Sequence, residues 1–406
     1  MHYIIIGNSA AGINAAETLR ELDKNGRITV VSSENAPPYS RCLLSYYLAG
    51  ELDKKRLFIR DKDWYRNLDI SPLQGHRVTS LLAKKNRIVL DDNYTLSYDK
   101  LLIASGSSPL FIPIKGRETP GVFGFRTLED ADNIIRFINK NRVRSVAVIG
   151  AGFIGLKTAC GFQKRKLKVT IVEKLGRLMP RMIDQKASGI FEKEFQAKGI
   201  DIILKQGVKE IIIEKNRAAG IRLENNKIIP AQVIIMSVGV KPNIDFLAGT
   251  NIKTDKGIIV NEHLQTNIEN IFAAGDVAET IDFITGERAL NALWPCACAQ
   301  GKIAAYNMAQ KTAPAQKRAY QGSMAMNSVE FFGLPVISFG ITNPLPGNGC
   351  KTSVKYDLQK KLYRKIVLTE NRLVGLISVG NIEKSGVFLS MLKRRDCLKD
   401  YEQIDI

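Results

Sequence analysis

Residues Ser145–Phe162 read SVAVIGAGFIGLKTACGF, and the spacing of their glycines decides the fold. A Val/Ile run ends in Gly150, Gly152 and Gly155, with Phe153 and Ile154 before the last glycine, and a segment of helical composition follows. In this G-x-G-x-x-G spacing the first glycine makes a tight turn. The second lets a pyrophosphate approach the backbone, and the third lets helix and strand pack closely. The run KVTIVEK that follows (Lys168–Lys174) is rich in β-formers and carries Glu173. An acid about 20 residues beyond the glycines accepts from a ribose hydroxyl and repels a 2′-phosphate, so NADH is expected over NADPH. Lys174 and Arg177 work against that preference.

The same grammar opens the chain. Tyr3–Gly7 (YIIIG) is a short apolar run, Asn8–Leu22 has helical composition, and Arg27–Glu34 (RITVVSSE) ends in an acid. The turn is G-N-S-A-A-G: Gly7 and Gly12 are in place, and Ser9, followed by Ala10 and Ala11, stands where the middle glycine usually sits. Serine is small enough for a backbone approach to phosphate. Two strand–turn–helix–strand–acid units are a far stronger signal than one. Three further segments end apolar runs in small turns: YDKLLIASGSSP (Tyr98–Pro109), AQVIIMSVGVKPN (Ala231–Asn243) and TNIENIFAAGDVAE (Thr266–Glu279).

A chain of 406 residues is too long for one compact core, and two or three domains are expected. No stretch reaches the ~20 uninterrupted apolar residues of a membrane span. The opening MHYIIIGNSA lacks a basic leader with an apolar segment and cleavage site, so a cytoplasmic location is expected. The six cysteines (Cys42, Cys160, Cys296, Cys298, Cys350, Cys397) show no C-x-x-C and no metal or cluster spacing. His2, His76 and His263 are scattered, and no metal site is assigned.

The net charge is +19 and unevenly placed. Asn133–Val172 contains no Asp or Glu, yet holds Arg136, Lys140, Arg142, Arg144, Lys157, Lys164, Arg165, Lys166 and Lys168. Lys351–Lys365 contains one acid, Asp357. Such a field suits an acidic carrier protein, a dinucleotide or a nucleic acid. It is equally what the solvated helix faces of a lysine-rich chain give.

Taken together, the two fingerprints and the three returning segments resemble the FAD-dependent pyridine nucleotide-disulfide oxidoreductases over essentially the whole chain. PPYSRCLLSYYLAG (Pro37–Gly50) and ISFGITN…YRKIVLTENRLVGLISVG (Ile337–Gly380) look most like the NADH:rubredoxin and ferredoxin reductases and the flavin module of assimilatory nitrite reductases. The resemblance implies an α/β protein with two Rossmann-like, glutathione-reductase-type dinucleotide-binding domains and a smaller α/β C-terminal domain. FAD would occupy residues 1–112 and 243–318, NADH residues 113–242, and the interface domain residues 319–406. It assigns Gly7, Ser9, Ala10, Ala11, Gly12, Glu34, Arg41, Ser45, Val78, Ala104, Ser105, Gly106, Arg126, Gly275, Asp276 and Trp294 to FAD. Asp276 would bind the ribityl chain, and Trp294 would start a helix whose N-terminus faces the flavin N1–C2 edge. Gly150, Gly152, Phe153, Ile154, Gly155, Glu173 and Gly239 are assigned to NADH. The family's third domain often helps a dimer form.

Two departures bear on function. The electron-transferring branch reads Tyr-Ser-Arg-Pro where this chain has Tyr39-Ser40-Arg41-Cys42, while coenzyme A disulfide reductases place a redox cysteine near this point. Arg41 would favour a Cys42 thiolate. Against a redox role, Leu43 stands where the family's redox cysteine is followed by glycine, and there is no second thiol nearby. The other departure is Lys157, where the family commonly has a glutamate paired with a lysine near the flavin; that lysine's approximate position is Ser45. Lys157 is therefore read as a cation reaching flavin N5 from the NAD domain, where it would favour negative charge as hydride arrives. The expected function is electron transfer between NADH and an acidic iron–sulfur carrier of rubredoxin or ferredoxin type, alone or within a larger redox complex, with hydride passing to flavin N5 and electrons leaving singly. The alternative is a Cys42-dependent reductase of coenzyme A disulfide or persulfide. A third reading, a flavoprotein that binds nucleic acid, has basic charge alone behind it, and neither nucleic acid nor membrane is expected as a partner.

Overall fold

The computed structural model describes residues 1–310 and 317–397, which divide into two compact units. The first comprises Met1–Ser40, Lys54–Ser108 and Val240–Met324. Its parallel sheet runs in the order Ile271–Ala273, Lys100–Ile103, His2–Ile6, Arg27–Ser32, Ile70–Gln74. The central strands are continuous apolar runs because both faces are covered, and Tyr3, Ile4, Ile5, Leu101 and Leu102 are wholly buried. Helices Ala10–Leu22 and Trp294–Ala309 belong to this unit and touch backbone to backbone. A Cβ on Gly301 would lie 2.2 Å from the Ala11 carbonyl oxygen, so only glycine fits there. An antiparallel sheet of Val78–Leu82, Arg87–Leu90 and Thr95–Ser97 completes the unit's main elements.

The second unit comprises Arg41–Asp53, Pro109–Gly239 and the described residues from Ala325 onward. Its parallel sheet has the order Ile200–Ile203, Lys168–Val172, Ser145–Ile149, Val233–Met236, Val122–Phe123. A five-stranded antiparallel sheet follows, ordered Met326–Phe331, Leu334–Gly340, Arg372–Val379, Leu362–Thr369, Cys350–Asp357. In chain order the helix Leu44–Ala49 lies inside the first fold, yet it packs with the second unit. Tyr47 donates to Asp132 at 2.7 Å, Arg165 donates to the Leu48 carbonyl, and Lys164 pairs with Glu51. A Cβ on Gly161 would stand 3.2 Å from the Ser45 carbonyl oxygen, so this helix and Phe153–Lys164 approach closely. Among the described residues no helix is long and apolar enough to cross a membrane.

Asp184 ties the two sheets of this unit together. It caps the helix Gln185–Ala197 by accepting from the Ala187 amide at 3.1 Å. It also accepts from the Tyr363 hydroxyl, and from Lys365 Nζ at 3.1 Å. Phe331 adds edge-on contacts to Phe191 and Phe195 at 5.7 and 5.5 Å. Burial alone would raise the Asp184 carboxyl. Hydrogen bonds from Tyr363, Ala187 and Lys365, with the Lys365 charge, outweigh it and hold the group below its ordinary 3.8. A carboxyl depressed on folding contributes stability above its unfolded value and loses it as pH falls through the folded one. Asp184→Asn removes this contribution and leaves Lys365, 9% exposed, without its counter-charge. It is expected to cost about 2 kcal/mol at pH 7, less than for a fully buried pair. Urea midpoints measured from pH 7 to pH 3 should converge for the two proteins below about pH 4.

Candidate functional site

In the first unit, strand His2–Ile6 ends at Gly7, whose φ of 113° requires glycine. A Cβ on Gly7 would meet the Ala104 oxygen at 2.2 Å, and one on Gly12 would meet the Gly7 oxygen at 1.8 Å. Strand, turn and helix are thus closed against one another to backbone contact. Helix Ala10–Leu22 begins at Ser9 with no side-chain capping bond and no acid in its first turn. Trp294–Ala309 begins equally uncapped and without an acid. A Cβ on Gly275 would sit 3.3 Å from Ala11 Cβ and 3.6 Å from Ala297 Cβ, so Gly275 lies at the N-terminal ends of both helices. Asp276 follows it and accepts from Ser107 Oγ at 2.9 Å, while Gln300 Oε1 holds the Gly275 amide at 2.7 Å. Glu34 accepts from the Tyr39 hydroxyl at 2.5 Å.

The turn Ala104–Gly106 is fixed by a residue 138 positions away. Asn243 donates to the Ser105 carbonyl at 2.9 Å, and its own carbonyl accepts from Ser105 Oγ at 2.8 Å. Its amide donates to the Gly106 carbonyl at 2.9 Å, and its side-chain oxygen accepts from Ser108 at 2.7 Å. Asn243, Ser107 and Gln300 are positioning residues that sequence reasoning missed. The sequence signal was a small-residue turn with no partner named. Val78 lies at the start of strand Val78–Leu82, buried in the core. Half-buried His76 stands 3.8 and 3.6 Å from exposed Asp91 and Asp92, a grouping that the scattered histidines did not announce.

The second unit repeats the turn. Gly150 has φ of 101°, and a Cβ there would meet the Ser237 oxygen at 2.3 Å. A Cβ on Gly155 would meet the Gly150 oxygen at 2.1 Å, whereas one on Gly152 would have nothing within 4 Å. Helix Phe153–Lys164 starts at Gly152, uncapped and without an acid, and Ile154 is exposed beside it. Gly239, with φ of 123°, also opens onto clear space. Glu173 is 8% exposed; its two oxygens accept from the Ala151 and Leu175 amides at 2.7 and 2.8 Å. Arg177 is spent on the Ile183 and Pro180 carbonyls at 3.2 and 2.9 Å, and Lys174 lies 3.9 Å from Glu224.

The contrast among helices shows what these turns fit. Leu128–Asn141 closes its own N-terminus with a Thr127/Asp130 capping box, and Gln185–Ala197 with Asp184. The two helices that begin at the glycine turns, and Trp294–Ala309, do not. Amides with no side-chain cap, roughly half a positive charge and no acid in the first helical turn are an anion site. The residues present therefore fit two dinucleotides, one in each unit.

Arg41, Cys42, Ser45, Arg126 and Lys157 all fall in the second unit. Arg41 donates to the Arg126 carbonyl at 2.9 Å, and Cys42 is exposed in the turn Arg41–Leu43. Lys157 donates to the Glu330 carbonyl at 2.7 Å and to the Tyr46 hydroxyl at 3.1 Å, and lies 4.8 Å over the Tyr46 ring. Its ammonium thus joins the nucleotide helix, the helix Leu44–Ala49 and the first strand of the C-terminal sheet. None of the six cysteines is bridged. Burial pushes the Cys160 thiol up to about 12, which leaves it inert at neutral pH.

Comparison with known proteins agrees with this geometry. A family described as pyridine nucleotide-disulphide oxidoreductase matches residues 1–313. The chain belongs to this family. Its members are FAD- and NAD(P)H-dependent oxidoreductases. Residues 326–396 match a rubredoxin NAD+ reductase C-terminal domain. The assimilatory nitrate reductase electron transfer subunit of Bacillus subtilis is 33% identical over 97% of this chain, which spans about half (49%) of that protein's length. The NADH-dependent phenylglyoxylate dehydrogenase subunit epsilon of Aromatoleum evansii is 32% identical, over 97% of this chain and 91% of that one. A NAD-dependent persulfide reductase from A. fulgidus superposes with a TM-score of 0.87 at 26% identity, over 98% of this chain and 77% of that one.

The two glycines of the second turn separate packing from binding. Gly155→Ala is expected to destabilise the protein, because its methyl meets backbone that cannot yield. Gly152→Ala places a methyl in the open approach, so the thermal midpoint should hold while KM for NADH rises about tenfold. Thermal melts and steady-state kinetics on both variants check this.

Proposed function

We propose that this flavoprotein passes electrons between NADH and an acidic iron–sulfur carrier protein of rubredoxin or ferredoxin type. The observation behind the reading is the joining of two dinucleotide cradles to a C-terminal sheet of the rubredoxin-reductase kind. When bound, NADH and FAD supply hydride transfer and its onward release as single electrons. The chain's part is to hold and orient. In the first unit the uncapped helix Ala10–Leu22 receives a diphosphate, Glu34 a ribose, and Asp276 the ribityl hydroxyls. In the second, the helix Phe153–Lys164 and Glu173 take the same roles for NADH. Arg177 donates to the Ile183 and Pro180 carbonyls and Lys174 lies 3.9 Å from Glu224, so the two cations that oppose the Glu173 preference have other partners, which supports NADH.

In this reading Lys157 acts through Tyr46 and Glu330, keeping the segment with Arg41 and Ser45 seated on the nucleotide helix. The relatives named above as subunits support a place in a larger redox complex, and a cytoplasmic setting goes with it. The domain division into 1–112 with 243–318, 113–242, and 319–406 belongs to the same reading. A second reading, a persulfide or coenzyme A disulfide reductase, is favoured by the exposure of Cys42 beside Arg41. The chain has no other cysteine before Cys160.

Anaerobic titration with NADH separates the two. About one equivalent should reduce the flavin completely and leave no second centre, and Cys42→Ser should keep full carrier turnover. A need for two equivalents, with a long-wavelength thiolate–flavin band midway, would move the sulfur reading to first place. Carrier reduction should also fall steeply between low and physiological salt while reduction of ferricyanide, a small dye, changes little.

A further inference from the structure

Three neighbouring strands of the first unit's parallel sheet end beside one another, and at or just past each end stands a polar side chain. His2–Ile6 lies next to Arg27–Ser32, which lies next to Ile70–Gln74. Register pairs Ile6 with Val31 and Ser32 with Gln74. Asn8, the residue after Gly7 in the first glycine turn, is 7% exposed. Its Nδ2 donates to the Ala36 carbonyl at 3.0 Å, and Gln74 Nε2 donates to the same carbonyl at 2.9 Å. Ser32 Oγ stands 3.1 Å from both the Asn8 side-chain oxygen and the Glu34 carbonyl. It also accepts from the Glu34 amide at 3.2 Å. Glu34 and Ala36 are thereby held by all three side chains.

The pattern is specific. A carbonyl has two lone pairs, and at Ala36 amides from two separate elements occupy both. That carbonyl can only accept, so Asn8 must turn its nitrogen to Ala36 and its oxygen to the Ser32 hydroxyl. The groups joined in this way are the glycine turn, which receives a diphosphate, and Glu34, which receives a ribose. Both belong to the adenosine half of FAD. Asp276 and Trp294, assigned to the flavin half, come from other segments of the chain.

We propose that Asn8, Ser32 and Gln74 form a clasp that fixes the ribose carboxylate relative to the diphosphate turn. The clasp thereby sets this chain's preference for an adenine dinucleotide flavin over a flavin mononucleotide. All three are positioning residues, since they act through Ala36 and Glu34. Holding residues 33–36 in place beforehand removes an ordering cost that cofactor binding would otherwise carry. A flavin mononucleotide has no second ribose and gains nothing from it. The proposal rests on the placement of FAD in the first unit given above.

The test takes the full chain as FAD holoenzyme, strips the flavin, and measures rebinding of FAD, FMN and ADP by fluorescence. The variants are Asn8→Ala, Gln74→Leu and the two combined. FAD and ADP are each expected to bind about tenfold more weakly to either single variant, with FMN binding unchanged. Because both amides hold one carbonyl, the double variant should lose less than the product of the two. Gln74 lies outside the glycine turn, so Gln74→Leu carries the test even where Asn8→Ala fails to fold. Equal weakening of FAD and FMN overturns the proposal, because a general loss of structure would do the same. Wild-type affinity for FAD in Gln74→Leu overturns it too. If ADP cannot displace FAD from the wild-type protein, the adenosine placement fails and the clasp falls with it. If ADP competes equally well in wild type and variants, the clasp alone is lost and the placement stands.

Discussion

Everything here depends on two places where a helix backbone rests against the turn that precedes it. The Gly7 oxygen occupies the volume a Cβ on Gly12 would need, and the Gly150 oxygen does the same to Gly155. Closing the strand–turn–helix unit this tightly points the first helical amides outward with no side chain to satisfy them. The cost is four orphan donors at each turn, which a structure normally silences with a cap. The helices Leu128–Asn141 and Gln185–Ala197 do so with Thr127 and Asp184. Leaving the glycine-turn helices uncapped turns a local defect into a phosphate-sized site, and the parallel sheets exist to hold those turns in place.

The second unit shows how a nucleotide fold is made rigid from outside its own sheet. Asp184, half-buried between a helix start and the C-terminal sheet, has its carboxyl held below its ordinary value by Tyr363, the Ala187 amide and Lys365. The same hydrogen bond, after burial, pushes the Tyr363 hydroxyl well above its usual range. The two residues fix each other's protonation state, so the contact is directional in a way that the Phe331, Phe191 and Phe195 rings are not. Apolar area supplies most of the adhesion at such an interface, while the polar cluster decides its register.

The fold was legible because its signals are local. Glycine spacing, β-rich runs and the two acids lie within about thirty residues of one another, and backbone sterics translate them directly into turns. The strands in YRKIVLTENRLVGLISVG and the helix from Trp294 likewise follow from runs of adjacent residues. What sequence could not reach is pairwise and distant. Asn243 secures Ser105 across 138 positions, and Lys365 meets Asp184 across 181. The segment Arg41–Asp53 has the composition of any amphipathic turn; contacts such as Tyr47 with Asp132, Arg165 with Leu48 and Gly161 with Ser45 tie it to the second unit. Lys157 was legible as a departure, but whether its ammonium points to a cofactor or to Tyr46 and Glu330 depends on partners 111 and 173 residues away.

Charge follows the same division between local cause and distant use. Lysines and arginines at the helix exits offset the negative ends of the helix dipoles, which explains why cations were placed there at all. Once two such exits return to adjacent parallel strands, the topology brings Arg144 and Lys168 together whatever the reason for each. A parallel sheet then puts its glycine turns at the opposite edge of the same strands, because every crossover starts at one edge and ends at the other. One element therefore carries two electropositive ends separated by more than a screening length. The glycine end is shaped for a dinucleotide by its backbone. The other end is built from exposed lysine and arginine side chains at the helix exits.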